Sequence, residues 1–449
     1  MLLDDTIAAV STALGEGAIA VLRVSGPEAR VIGKQLFRGK NLTKATPRMA
    51  YYGSFVDPSG TVLDQGLATV FAGPASYTGE DLVEFSCHGG VLVTRTLYET
   101  LLQLGCRPAD PGEFTQRAFL NGKMDLTQAE AVMDLIQAQT SLALRAANEQ
   151  LRGDLGQETM ALRETLIGVA AHTEAYIDFP EEDIDPDTGR AIIERLTGVI
   201  ERLQVLLASA DRGRILREGA RAVICGEPNV GKSSLLNVLL GFERAIVSDT
   251  AGTTRDTIEE VINLHGIPLR LIDTAGLHES SDDVERLGMQ RTHDAITHAD
   301  VVIEVLDGSA PSRPSSITPP EEEAPTWIRL LNKADLGLHP DHSASEGIAF
   351  SCQDRTGLEE LTSTLRHALL SQEDSPQTQM VAINARHQAC LKRALTGCEQ
   401  ARAALQNQTA PEFVALDLRE AMEAIGEVVG KVDVEEILGE IFSAFCIGK

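Results

Sequence analysis

The chain has no surplus of positive charge, no closely paired cysteines and no long apolar run. Its 39 Lys and Arg stand against 66 Asp and Glu, a formal net charge of −27. A field of that sign opposes a nucleic-acid backbone, so RNA contact requires local basic patches or a more basic partner. The deficit is uneven: residues 1–118 carry 10 basic against 12 acidic residues, and residues 119–449 carry 29 against 54. No stretch has the length and hydrophobicity of a membrane-spanning helix, and Asp4 and Asp5 stand where a secretory signal needs basic residues. Cysteines 87, 106, 225, 352, 390, 398 and 446 are scattered, odd in number and without a Cys-x-x-Cys pair. That argues against a disulfide framework or a zinc site and for a reducing, cytoplasmic setting.

What is present is folded texture on a large scale. At 449 residues and 43% apolar composition, the chain exceeds one ordinary core and predicts several soluble domains. Residues 1–118 mix short apolar runs with turn signals. Ala18–Gly26 and Gly66–Phe71 read as strands and Val91–Gly105 as a helix, which predicts an α+β domain. From about 125 to 217 the pattern is helical. Thr127 and Glu130 have the spacing of a capping box, one helix is expected to end before Asp178–Phe179–Pro180, and another to follow the acidic stretch 181–189. Helical texture resumes near 377, where Val434, Ile437, Leu438, Ile441 and Phe445 fall on one face. Between these stretches, residues 218–371 alternate strands with helices. The expected division is therefore 1–118, a helical domain of 119–217 plus 372–449, and an α/β domain of 218–371 inserted into it. Pro311–Pro325 is too rich in proline for a regular helix and reads as an exposed loop.

The inserted segment carries three ordered nucleotide motifs. After the strand Arg221–Cys225, Gly226 to Ser233 matches GxxxxGK[ST], a loop whose backbone N–H groups wrap a phosphate at a helix N-terminus. Lys232 would reach the β- and γ-phosphates and Ser233 would ligate Mg²⁺. The strand Leu269–Ile272 runs into Asp273, Thr274, Ala275 and Gly276, placing a carboxylate near Mg²⁺ and a glycine amide near the γ-phosphate. The strand Trp327–Leu331 runs into Asn332, Lys333, Ala334 and Asp335, whose carboxylate can accept from the two N–H donors of guanine's edge. Three motifs at successive strand ends predict a P-loop GTPase with a doubly wound, mostly parallel sheet. Leu277 stands where Ras-like proteins carry a water-orienting glutamine, so catalysis must draw on another group. Gly252–Asp256 has the character of a first switch, with Thr254 a second candidate Mg²⁺ ligand.

With these residues in view, the whole chain resembles the MnmE (TrmE) family of tRNA modification GTPases. The resemblance rests on the GTPase motifs, on Ser76–Tyr77–Thr78–Gly79–Glu80–Asp81, on Phe119–Leu120–Asn121–Gly122–Lys123, on Ile177–Asp178–Phe179–Pro180, and above all on Phe445–Cys446–Ile447–Gly448–Lys449. It implies an N-terminal folate-binding and dimerisation domain, a central helical domain and an inserted GTPase domain. It further implies a homodimer that joins an FAD-containing partner, MnmG (GidA), in a heterotetramer acting on tRNA. The implied product is an aminomethyl or carboxymethylaminomethyl group at C5 of the wobble uridine, with a 5-formyl- or methylene-tetrahydrofolate as one-carbon donor.

The resemblance also assigns residues. It implies a K⁺ ion in the role of an arginine finger, held by Asn229, Ser248, Thr250 and Thr253, and a water-orienting glutamate at Glu285. It extends the GTP site over Asn229, Val230, Gly231, Lys232, Ser233 and Ser234, over Ser248, Asp249, Thr250, Ala251, Gly252, Thr253 and Thr254, and over Ser351 and Cys352. For the folate it implies Arg23, Glu80, Lys123 and Lys449. A pterin's donor edge suits a carboxylate, and a glutamate tail suits a cation. The chain departs from the family at His278, where arginine is frequent, and at Cys352, where alanine is usual; cysteine keeps the backbone amide that would meet guanine O6.

Some readings stay open from sequence. Cys446 is either a catalytic thiol beside the folate or a packing residue at a helix end. His88–Gly89–Gly90 is either a turn with a satisfied histidine or a base. The GTPase motifs alone also suit a regulatory switch in ribosome assembly or stress signalling, although such a switch has no need of a folate-type domain or the Cys-Ile-Gly-Lys end.

Overall fold

Strands of alternating hydrophobicity build one sheet and strands of continuous hydrophobicity build another, and this difference governs which edges and faces can carry polar chemistry. The computed structural model describes residues 5–178, 187–241, 259–273, 294–312, 325–342, 347–369, 383–407, 410–431, 435–443 and 445–448. The chain divides into two units, residues 1–133, 155–167 and 422–449 in the first and residues 134–154 and 168–421 in the second.

The first unit holds strands β1 (Ile7–Val10), β2 (Gly17–Ser25), β3 (Phe37–Arg38), β4 (Ala50–Val56), β5 (Val62–Phe71), β6 (Leu82–Gly89) and β7 (Arg107–Pro108). They lie in the order β3-β4-β5-β6-β2-β1-β7, antiparallel except for the β1–β7 pair. Because a strand turns successive side chains to opposite faces, Ala20, Leu22 and Val24 of β2 and Val83 and Phe85 of β6 share one face. There they pack with Ile32 and Leu36 of α1 (Ala29–Leu36) and Leu97 and Leu101 of α2 (Val91–Gln103) in the main core. Each of the Val, Leu, Ile and Phe side chains contributes about 1.5–3 kcal/mol by leaving water. The intervening residues Arg23, Ser25 and Glu84 turn to the opposite face. That face has a smaller core of Ile7, Ala9, Leu82, Ala109 and Phe114, the last from α3 (Glu113–Leu120).

Two helix ends differ from the sequence-based expectation. Helix α4 (Leu126–Gln137) is capped by Asp125 and Gln128, not by Thr127 and Glu130. Asp125 Oδ1 accepts from the Gln128 amide at 2.9 Å, and Gln128 Oε1 accepts from the Asp125 amide at 3.0 Å. Thr127 instead donates its hydroxyl to Asp125 at 2.7 Å. Aspartate serves as N-cap as well as threonine does, and the helix starts one residue after it. At the C-terminus the last helix is Glu435–Ser443, so Phe445 does not continue its apolar face. The Phe445 amide turns back to Phe442 O at 3.1 Å, and the two rings meet at a 50° tilt with centroids 5.4 Å apart. Val434 lies outside the described residues.

In the second unit, helices α5 (Ser141–Leu151), α7 (Asp187–Ala208) and α8 (Ala210–Glu218) precede the second sheet. Helix α6 (Asp154–Asp178) runs through Asp178, and α7 already begins inside the acidic stretch; Phe179 and Pro180 lie outside the described residues. The returning helix is seen from Ala385 to Gln406, with the Asn384 side chain accepting from the His387 amide at 2.7 Å, and it packs on α7.

The second sheet comprises β8 (Ala220–Cys225), β9 (Glu259–Leu264), β10 (Ile267–Asp273), β11 (Val301–Asp307), β12 (Thr326–Asn332) and β13 (Ile348–Ala349). Its order is β13-β12-β11-β8-β10-β9, parallel except for the β9–β10 hairpin. Residues of β8 and β11 bury both faces. Ala222, Ile224, Ile303 and Val305 pack with Leu235 and Leu239 of α9 (Lys232–Leu240), whereas Val223, Cys225 and Val302 pack with Ile296 and Trp327. Of the proline-rich loop, residues 313–324 lie outside the described residues.

Candidate functional site

The chain continues from β8 to one side of the sheet, through β9 and β10, and later returns to the other side through β11, β12 and β13. The reversal leaves a crevice at the carboxyl ends of β8 and β11, the place where open α/β sheets take ligands. Gly226–Gly231 leaves β8 at that point and enters α9. The side-chain-free positions are forced by the neighbours: Gly226 (φ 143°) lies against the Val305 carbonyl and Gly231 (φ 104°) against Asn332 Nδ2, each too close for a Cβ. The resulting loop is a backbone cradle at a helix N-terminus, the shape and polarity a phosphate chain requires. Lys232 is buried, and its Nζ donates to the carbonyls of Gly226 and Glu227 at 2.9 Å each. The ammonium is thus held across the cradle. Asn229 (φ 66°), Ser233 and Ser234 are exposed and Val230 is buried.

The motifs at the other strand ends meet this loop. Asn332, last residue of β12 and 3% exposed, donates from Nδ2 to Val230 O at 2.7 Å and accepts from the Cys352 amide at 3.3 Å. One side chain therefore ties the phosphate loop to the loop after β13. Ser351 is buried, and its Oγ accepts from the amides of Gln353 and Asp354 at 3.2 and 3.4 Å. Ala334 N donates to Phe350 O at 2.9 Å. Lys333 pairs with Asp307 at 2.6 Å. Burial alone would raise the Asp307 carboxyl, but Lys333 and Ser309 outweigh it and hold the group below the usual carboxylate range. Asp335 is exposed beside them. Asp273 closes β10, its Cα opposite that of Ile224 in β8; its side chain lies outside the description. Ser248, Asp249, Thr250, Ala251, Gly252, Thr253, Thr254, Thr274, Ala275, Gly276, Leu277, His278 and Glu285 also lie outside the described residues.

A second polar cluster occupies the half-apolar face of the first sheet. Arg23 and Glu84 are register partners on β2 and β6, paired at 2.8 Å, and the Arg23 guanidinium lies 5.7 Å from the Tyr77 ring centre. Two residues along β2, Ser25 donates to Glu80 Oε2 at 2.7 Å. Arg23 and Glu80 thus belong to one face. The turn at 119–123 clamps the loop that carries Glu80: Asn121 Nδ2 donates to Thr78 O at 2.7 Å and Lys123 Nζ to Pro74 O at 3.0 Å. Carboxylate, guanidinium, ammonium and aromatic ring together suit a ligand with a flat donor edge and an anionic tail.

The tail beyond the last helix returns to the first unit. Ile447 bridges to Pro111, and Ser11 Oγ donates to Gly448 O at 3.1 Å. Cys446 is exposed, which removes the expectation of a packed thiol at a helix end. Lys449 lies outside the described residues. His88, next to last in β6, has its Nδ1 on Asp64 at 2.7 Å and its amide on the other Asp64 oxygen at 2.8 Å, so it is a partnered histidine near a strand end. Sequence reasoning passed over Ser25, Asp307 and Arg117, whose partners Glu80, Lys333 and Asp5 are distant in sequence.

Comparison with known proteins identifies the family. The family model for the MnmE helical domain matches residues 126–446, and that for the GTP-binding protein TrmE N-terminus matches residues 6–123. The chain belongs to the tRNA modification GTPase MnmE family. A tRNA modification GTPase MnmE of Akkermansia muciniphila is 52% identical over 447 residues, covering 99% of both chains. Those of Aquifex aeolicus and Carboxydothermus hydrogenoformans are 42% and 41% identical, with at least 99% of each chain covered. The MnmE relationship therefore spans both units. Among the described residues no helix is long and apolar enough to cross a membrane, and all seven cysteines are free thiols.

Proposed function

We propose that this protein hydrolyses GTP, with K⁺ activation, in the modification of tRNA wobble uridines. The observation that carries the reading is the convergence of the Gly226–Lys232 cradle, Asn332 and the Cys352 loop at one edge of a parallel sheet. In this reading Asn229 to Ser234 hold the phosphates, with Lys232 supplying positive charge. Ser233 and Thr254 are the residues that would hold Mg²⁺, which would offset phosphate charge when bound. Asn332 to Asp335, with Ser351 and Cys352, select guanine. Bound K⁺ supplies charge that offsets the transition state, and Asn229, Ser248, Thr250 and Thr253 are the residues that would hold it. Glu285 orients water, and the switch residues 248–254 and 274–276 complete the GTP site.

In the first unit, Arg23, Glu80, Lys123 and Lys449 are the residues that would hold a tetrahydrofolate, which supplies a one-carbon unit when bound. Cys446, exposed within the docked tail, is available for that chemistry. The protein works as a cytoplasmic homodimer with the FAD protein MnmG and tRNA. Its parts are residues 1–118 for folate and dimerisation, 119–217 with 372–449 as the helical domain, and 218–371 as the GTPase domain. Family membership over the whole length supports this partition and these partners.

The test is nucleoside mass spectrometry of tRNA from cells without the protein and with it restored. Loss of 5-aminomethyl-type wobble uridines, recovered on complementation, is expected. An unchanged nucleoside profile overturns the modification role and leaves a GTPase with another task.

A further inference from the structure

In the first unit, one guanidinium is almost completely shielded from water. Arg117 is 1% exposed and spends all its N–H donors on three carboxylates and a carbonyl. Its Nε and Nη2 donate to Glu113 Oε1 at 3.2 and 2.8 Å, Nη2 also to Asp5 Oδ1 at 2.5 Å, and Nη1 to the Asp5 carbonyl at 2.9 Å. The same Nη1 is shared between the two Glu80 oxygens at 3.1 and 3.2 Å. Asp5 and Glu113 have a second cation, because Arg107 donates to both. Among the described residues no second cation reaches Glu80; its other hold is the Ser25 hydroxyl, which in turn lies 2.7 Å from Thr78 Oγ1.

The three carboxylates are therefore unequally satisfied. Two guanidiniums face Asp5, Glu113 and Glu80, and from the described residues the Glu80 carboxylate receives a shared N–H and one hydroxyl. A carboxylate accepts more bonds than that, so acceptor capacity remains on Glu80. Its side chain is 14% exposed, oriented from behind by groups that are buried. A carboxylate fixed in this way recognises paired N–H donors without losing side-chain freedom when it binds them.

We propose that Arg117 and Ser25 are positioning residues that fix the Glu80 carboxylate for the paired N–H edge of its ligand. The proposal rests on the reading of Glu80 as a folate contact. Arg117 does not touch the ligand; it sets the plane of the carboxylate, and Ser25 locks one oxygen.

The test measures 5-formyltetrahydrofolate binding to the full-length protein by calorimetry, with melting temperature as the check on folding. Arg117→Lys, which keeps the charge and loses the fork, and Ser25→Ala are each expected to weaken binding about tenfold. In a Glu80→Gln background, itself weakened, neither change should cause a further loss, because both act through Glu80. If Arg117→Lys does not fold, Ser25→Ala decides alone. Undiminished binding by a folded variant overturns the proposal, as does the same loss repeated on top of Glu80→Gln. If Glu80→Gln alone weakens binding, the folate reading survives that result. Absence of binding by the native protein, or undiminished binding by Glu80→Gln, overturns the folate reading and the proposal together.

Discussion

Replacing Asn332 with alanine removes the side chain through which the phosphate loop and the loop after β13 hold each other. Its Nδ2 meets the Val230 carbonyl at 2.7 Å and its Oδ1 the Cys352 amide at 3.3 Å, in a position 3% exposed. Water cannot readily replace either bond, and each orphaned buried group costs about 1–3 kcal/mol. The shorter bond should account for most of the loss, for a total of about 2–4 kcal/mol. That cost divides between the free fold and the nucleotide complex. Even half of the lower figure, combined with a disordered guanine loop, weakens guanine-nucleotide binding about tenfold. Equilibrium titration with a fluorescent GDP analogue, beside calorimetric melting, measures both parts. Asn332→Asp sharpens the test: it keeps the acceptor for Cys352 but sets a carboxylate oxygen against the Val230 carbonyl. It should therefore bind no better than alanine. Native-like affinity and melting in Asn332→Ala would refute the clamp, and tight binding by Asn332→Asp would refute the donor assignment at Nδ2.

Asn229→Ala should abolish the stimulation of GTP turnover by K⁺ while leaving GTP binding nearly intact; equal turnover of the native protein in Na⁺ and K⁺ buffers counts against that role. The Asp5 carboxyl lies below its ordinary value, chiefly through its bond from Arg107, and Glu113 lies below its own because Arg107 and Arg117 overcome its burial. Depressed folded pKa values contribute stability that is complete above the unfolded values of about 3.9 and 4.3. That stability is lost as pH falls through the folded values. Urea midpoints followed downward from pH 5 should fall more steeply for the native protein than for Glu113→Gln, and equal slopes would contradict the network. Cys446 is exposed, whereas burial pushes the Cys225 and Cys398 thiols up to about 12. Brief alkylation of the folded protein followed by peptide mass spectrometry should label Cys446 well ahead of those two; preferential labelling of Cys225 would mean that the sheet core opens readily.

The sequence by itself determined the nucleotide class. The glycines at 226 and 231, Lys232, and Asn332–Asp335 act through local backbone shape and through strand ends that periodicity locates, so their order along the chain was sufficient. It also determined that residues 1–118 mix strands and helices, because the apolar runs Ala18–Gly26 and Gly66–Phe71 stand between turn signals and Val91–Gly105 is long enough for a helix. Local reading misplaced the cap of α4, since Asp125 and Thr127 both qualify and only the backbone start decides between them. It extended the last helix to Phe445, because an apolar residue at helical spacing looks the same whether the helix continues or turns back.

Only the tertiary structure decided the contacts between distant segments. That Asn332 holds Val230, that Lys333 answers Asp307, and that Asp5, Glu80 and Glu113 converge on one buried arginine follow from strand order and sheet face. Neither is encoded within any short window. The same holds for the tail, whose Gly448 reaches Ser11 only because the folded chain brings its two ends together. Local sequence specifies where a side chain sits on its own element; which charge it meets across the fold depends on how the elements pack, and in this protein that pairing holds Glu80 in place.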